Sequence, residues 1–334
     1  MSEGKWKDSL LKSSLPLEHA VAEQLAKLKW TVWGQYAYAR NNESGASVDF
    51  SVDIEAHKEY STDTHWLATL QLLIECKYAS PGVKWLFLPY PKTAELFGGA
   101  VRVFDQAANK RVTNRQLLDS IENDMPYCIR GISLFDSGFD ETAIHRGATQ
   151  LRYAMPRLAT QALSSQITDI HDEDINVTIA CAILVTPAPI FTLKEGLSLD
   201  DVYQAKSLDS LVTEHESVIL WDSNAPDRAN YSMRLFGELD AEALRSRIEK
   251  YRAVFEPTKR LKYPPTTYEV PRAISEAGDH VIVVTLKGLK SLLVRLNRAG
   301  TSAAKSIERI ASLDFDRTIG EVNISNVSSV SPLK

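Results

Sequence analysis

The chain has 334 residues, 44% apolar and 24% charged, and a formal net charge of −5 at pH 7. Those fractions fit a globular protein of one elaborated domain or two ordinary ones, and the acidic balance speaks against a protein that coats nucleic acid without specificity. No apolar run approaches the ~20 residues of a membrane span, and the stretch from Met1 to Asp8 lacks an apolar signal core, so a cytoplasmic protein with no membrane partner is expected.

In chain order, Pro16 to Trp30 reads as a helix. Leu17, Ala20, Val21, Leu25 and Leu28 form its apolar stripe, Ser14 and Pro16 are start signals, and Glu18 sits beside the stripe. A strand is expected around Thr31 to Ala39, then a turn from Asn41 to Gly45. From Val48 to Ala56, apolar Val48, Phe50, Val52, Ile54 and Ala56 alternate with Asp49, Ser51, Asp53 and Glu55, the period-2 pattern of a strand with one buried face. The run from Trp66 to Lys77 behaves alike: Trp66, Ala68, Leu70, Leu72, Ile74 and Cys76 share one face, so Glu75 and Lys77 emerge together on the other. Ser80-Pro81-Gly82 closes that strand, and Lys84 to Leu88 is a further short one.

Beyond it, Arg115 to Asn123 and Glu141 to Leu163 read as helices, the second kinked or interrupted at Pro156. The acidic stretch His171 to Asp174 is a loop. Val177 to Val185 is a continuous apolar run, as expected of a strand buried on both faces. Val218 to Trp221 suggests another strand, and Asp240 to Phe255 a helix with paired charges. Glu256 to Pro265 is the best linker, which divides the chain into residues 1–260 and a C-terminal piece, 261–334, expected to pack on the same domain. That piece carries an apolar strand at Val281 to Val284, a helix with Leu289, Leu292, Leu293 and Leu296 at helical spacing, and a frayed tail from Ser325 to Lys334. Three scattered cysteines, Cys76, Cys128 and Cys181, read as reduced core thiols.

If the two alternating strands pair, Asp53, Glu75 and Lys77 converge at one partly solvated edge of a sheet. Two carboxylates and a backbone carbonyl, that of Cys76, suit Mg²⁺, which takes oxygen ligands and keeps several waters. Such an ion serves phosphodiester hydrolysis, and an ammonium at Lys77 would stand near the attacking water. Either motif alone is weak, since a Glu-x-Lys pair on a strand is most often an exposed ion pair. Asp49 and Glu55 share the face of Asp53 and are rival ligands, and His57 is a candidate for proton transfer. The excess of Lys77, Lys84, Lys92, Arg102, Lys110, Arg111 and Arg115 over Glu95 and Asp105 is either a set of phosphate contacts or a solvated surface.

Leu17-Glu18-x-x-Val21, then Asp53-Ile54-x-Ala56, then Ile74-Glu75-Cys76-Lys77 resembles, in that order, the PD-(D/E)XK or restriction-endonuclease-like nuclease superfamily. The resemblance covers residues 15 to about 90, and the helix containing Gln150 and the strand at Val177 to Val185 would complete the core. It implies an α/β fold with an αβββαβ core, a mixed central sheet flanked by helices, with large C-terminal elaborations. It also implies Mg²⁺-dependent (or Mn²⁺-dependent) cleavage of phosphodiesters, in DNA rather than RNA, of the kind used in restriction or anti-phage defence. Glu18, Asp53, Glu75 and Lys77 match the family's four site positions, with Asp53, Glu75, the Cys76 carbonyl and Glu18 as metal ligands. Val52 stands where the family nominally has Pro. A homodimer is implied if both strands are cut. The alternatives are a non-cleaving sensor or subunit of a defence complex that keeps the fold, and an enzyme acting on nucleotides or another phosphate ester in an enclosed pocket.

Overall fold

A run with almost no polar residue must lie where both faces are covered, and residues 177–185 do so. Among the residues the computed structural model describes, 5–41, 45–61, 67–91, 99–104, 121–168, 176–221, 226–246 and 269–305, this run forms a central strand. In chain order the strands are β1 (Thr31–Trp33), β2 (Tyr36–Asn41), β3 (Ser47–Val52), β4 (Ile54–Ser61), β5 (Leu67–Cys76), β6 (Lys84–Pro89), β7 (Val101–Phe104), β8 (Tyr127–Phe135), β9 (Gly138–Asp140), β10 (Asn176–Thr186), β11 (Ile190–Leu193), β12 (Val212–His215), β13 (Ser217–Trp221) and β14 (His280–Thr285). The helices are α1 (Lys5–Lys12), α2 (Leu15–Lys27), α3 (Thr142–Thr168), α4 (Leu199–Gln204), α5 (Pro226–Gly237), α6 (241–246), α7 (Glu269–Glu276) and α8 (289–305).

The protein is mixed α/β. Its large sheet runs β1-β4-β5-β10-β14-β13-β8-β6-β11-β12, with β7 also against β10 and β9 against β8, while β2 and β3 form a separate hairpin. β1, β4 and β5 pair antiparallel, whereas β10 is parallel to both β5 and β14. Alternate residues of β10 supply two different cores. Ala180, Ala182 and Leu184 face the layer containing α3, with Ile144, Leu151, Met155 and Leu158. Ile179, Cys181, Ile183 and Val185 face α2, with Leu17, Val21 and Leu25, and α8, with Leu289, Leu292, Leu293 and Leu296. All three cysteines are free and buried, and burial pushes their thiols up. No described helix is long and apolar enough to cross a membrane.

Three expectations are corrected. The alternating run Val48 to Ala56 is not one strand: it bends at Asp53, leaving the β2–β3 hairpin to join the large sheet as β4. Val52 accordingly belongs to the α3-side core and Ile54 to the α2-side core, so the bend carries the chain across the sheet. Thr31 to Ala39 is likewise divided, into β1 and β2, at Gly34 and Gln35. Pro156 does not interrupt α3. The Arg152 carbonyl, which Pro156 has no N–H to satisfy, faces Gly278, where an added Cβ would stand 2.2 Å from the oxygen. The helix of Arg115 to Asn123 lies mostly outside the described residues; so do the loop at His171, the linker, the tail and most of the helix expected after Asp240.

Gly278 is therefore a packing requirement. Gly278→Ala is expected to lower stability in urea by about 1–3 kcal/mol, as overpacking against backbone does. Gly34→Ala, where an added Cβ meets nothing within 4 Å, should stay within about 0.5 kcal/mol of wild type. Equal midpoints for both variants would show that the α3 carbonyl and the loop before β14 are not in contact.

Candidate functional site

The bend between β3 and β4 puts a carboxylate at the carboxyl end of β5. Ile54 pairs with Ile74, which brings Asp53 level with Glu75. Asp53 Oδ2 accepts a hydrogen bond from the Cys76 N–H at 2.8 Å, and the Asp53 N–H donates to Glu75 Oε2 at 3.3 Å. Each acid is thus held by backbone of the other's segment. Lys77 continues the strand pairing, its N–H donating to the Val185 carbonyl at 2.9 Å. Its Nζ donates to Glu75 Oε1 and, at 3.2 Å, to Gln150 Oε1. Glu18, in the first turn of α2, approaches from the opposite layer and feels the charges of both Asp53 and Lys77.

The electrostatics follow from crowding acids in a poorly hydrated space. Burial raises the Glu18 pKa, with Asp53 adding to the shift and Lys77 opposing it. Burial also raises that of Asp53, against the pull of the Cys76 hydrogen bond and of Lys77. Glu75 has no exposed surface and is pushed up to about 7, by burial first and by Asp53 second, with Lys77 resisting. The expected partly solvated edge is therefore corrected for Glu75: the α3 layer closes over it, while Asp53 stays partly open. Three acids against one ammonium make a site that favours a further cation.

Gln150 is the residue that sequence reasoning left without a role. Its Nε2 donates to the Ser51 carbonyl at 3.0 Å while its Oε1 accepts from Lys77, so one amide links the β3 end to the ammonium. Tyr38 in turn donates its hydroxyl hydrogen to the Gln150 carbonyl at 3.0 Å. Close approach of α3 is possible because residue 147 is glycine: an added Cβ would lie 2.7 Å from Leu184 Cδ1 and 3.2 Å from Lys77 Cγ and Cε. The signal was a glutamine one turn after a glycine on an otherwise apolar helix face.

The rival residues fall elsewhere. Asp49 is exposed on β3. Glu55 is half-buried with its carboxyl raised by burial alone, and His57 lies against the Trp33 ring at 4.2 Å. Among the described residues, no group of three or more His, Cys, Asp or Glu side chains is arranged to hold a metal ion, so Asp53 and Glu75 offer two side-chain donors at the end of β5. The reading of the basic segment as phosphate contacts fails at Arg102. That side chain is 12% exposed, approaches Glu276 at 3.8 Å and donates to His280 Nδ1 at 3.0 Å, so it is engaged within the fold. Lys92, Lys110, Arg111 and Arg115, with Glu95 and Asp105, lie outside the described residues.

The raised Glu75 pKa has a testable sign. The fold favours the protonated carboxyl, so this contribution to stability is fully present below the ordinary value of 4.5 and is lost as pH rises through about 7. In EDTA, the urea midpoint of wild type should fall between about pH 5 and pH 8 by more than that of Glu75→Gln, which cannot ionise there. Equal falls would mean that Glu75 is not the buried acid. Compared with protein-family models, curated proteins and solved structures, the chain matches none.

Proposed function

We propose that the protein is a divalent-metal-dependent nuclease acting on DNA, with α2, β1, β4, β5, α3 and β10 as the αβββαβ core of a restriction-endonuclease-like fold. The observation that carries this reading is the hydrogen-bonded meeting of Asp53, Glu75 and Lys77 at the carboxyl end of β5, with Glu18 of α2 near enough to feel the charges of Asp53 and Lys77. The pairing supports it too: β1-β4-β5 antiparallel, then β10 parallel to β5 after the crossover through α3. The remaining strands are elaborations of that core.

Mg²⁺, or Mn²⁺ in its place, would neutralise the non-bridging phosphate oxygens and acidify an attacking water. The residues present fit such an ion, since their donors are hard oxygens and burial, the main cause of their raised pKa values, makes their negative charge costly until a cation offsets it. Asp53 and Glu75 would hold it with the Cys76 carbonyl and waters, while Glu18 of α2, which is not grouped with them as a third side-chain ligand, would add negative charge nearby. Lys77 offers an ammonium beside these acids, where it offsets charge that develops on the phosphate as the bond to the leaving oxygen breaks. Gln150 is a positioning residue: it fixes Nζ of Lys77 and touches no reacting atom. Tyr38 steadies Gln150. A cut through both strands of a duplex would take two copies of the site.

The test is cleavage of single-stranded DNA, duplex DNA and RNA with Mg²⁺, with Mn²⁺ and with EDTA. Activity is expected with either ion and none in EDTA. Lys77→Ala should lose about 10²–10³-fold in rate, the usual cost of one charge-stabilising donor. Asp53→Asn and Glu75→Gln should each abolish cleavage while circular dichroism and urea unfolding show a folded protein. Tight binding without cleavage of every substrate would instead favour a non-cleaving module.

A further inference from the structure

Beside the site stands an exposed aromatic side chain with no part in the core. Trp33 is 53% exposed although it ends a strand of the large sheet. Trp33 pairs with Glu55, and Val32, packed on the α2-side core, pairs with Ala56. Trp33 and Glu55 therefore share the opposite face, the one on which Glu75 lies. His57 is on that face too, and its ring backs the indole with centroids 4.2 Å apart and planes at 56°. His57 Nδ1 is buried without a hydrogen-bond partner among the described residues, so its ring serves as packing. Next to the indole the surface is open: an added Cβ at Gly34 would meet nothing within 4 Å.

The position relative to the site is set by strand geometry. Glu55 is two residues from Asp53, roughly 7 Å along β4, and β1 lies about 5 Å to the side. Two or three nucleotides of a stacked strand, at about 3.4 Å each, span that distance. The nearby Glu55 carboxylate opposes a phosphate at the indole but not an uncharged ring. Base-on-aromatic stacking tolerates any base and requires that the base be unpaired.

We propose that Trp33 is a stacking shelf for an unpaired nucleobase two or three nucleotides from the scissile phosphate, which makes single-stranded DNA, flaps or frayed ends the substrate class. The inference rests on the nuclease reading and narrows it. A base held on the shelf fixes the strand's path toward Asp53 and Glu75, and a fully paired duplex leaves the shelf empty.

The experiment compares wild type, Trp33→Ala and Trp33→Phe on a single-stranded oligonucleotide and on its duplex, both in Mg²⁺. On the single strand, Trp33→Ala should raise KM about tenfold at unchanged kcat, and Trp33→Phe should recover most of the loss. On the duplex, Trp33→Ala should match wild type. An unchanged single-strand KM in Trp33→Ala, or no recovery with Phe, overturns the shelf while wild-type cleavage leaves the nuclease reading standing. Should wild type cut nothing, binding of the same labelled single strand decides. About tenfold weaker binding by Trp33→Ala upholds the shelf without the cleavage, and equal binding, or none by either protein, overturns it.

Discussion

The register that sets Ile54 against Ile74 is the constraint on which the rest depends. It starts β4 one residue after Asp53, so the carboxylate stands where β5 ends, and the reciprocal hydrogen bonds between Asp53 and the Glu75–Cys76 backbone lock that relation. A one-residue slip would turn Glu75 and Lys77 onto the α2 side and put Ile74 and Cys76 among polar groups. The apolar face of β5 therefore enforces the site's geometry. The arrangement of these acids and core packing are one specification here.

Burial then gives the site its chemistry. Glu75 is enclosed by α3 because Gly147 lets the helix come close and Gln150 satisfies the ammonium that accompanies the acid. Enclosure weakens hydration, which strengthens charge interactions and makes uncompensated negative charge costly. The cost falls on Glu18, Asp53 and Glu75 together. Under the proposed function, a cation bound by Asp53 and Glu75 would relieve it, and the same enclosure would keep a phosphate's developing charge close to Lys77.

What could be read from the chain and what could not have distinct causes. The apolar positions Ala68, Leu70, Leu72, Ile74 and Cys76 show their shared face by period alone, and they take Glu75 and Lys77 to the other face. The run Val177 to Val185 declares itself central because it has no wet side. The bend at Asp53 leaves no such trace, since polar and apolar residues alternate straight through it while the strand changes partner from β2 to β5. The burial of Glu75 is equally hidden: a period assigns a side chain to a face but says nothing of what covers that face, and here the cover is a helix far along the sequence. Arg102 belongs to the same class, a charge whose neighbours, Glu276 and His280, come from distant elements. Trp33 escaped notice because a lone aromatic in a short strand reads as core until its exposure is known.

Anomalous scattering from crystals soaked in Mn²⁺ tests the central claim most directly. One ion bound by Asp53 and Glu75 at the end of β5, within reach of the Cys76 carbonyl, is the predicted result. Manganese bound only elsewhere, or none at all with the Glu75–Lys77 pair undisturbed, would contradict it.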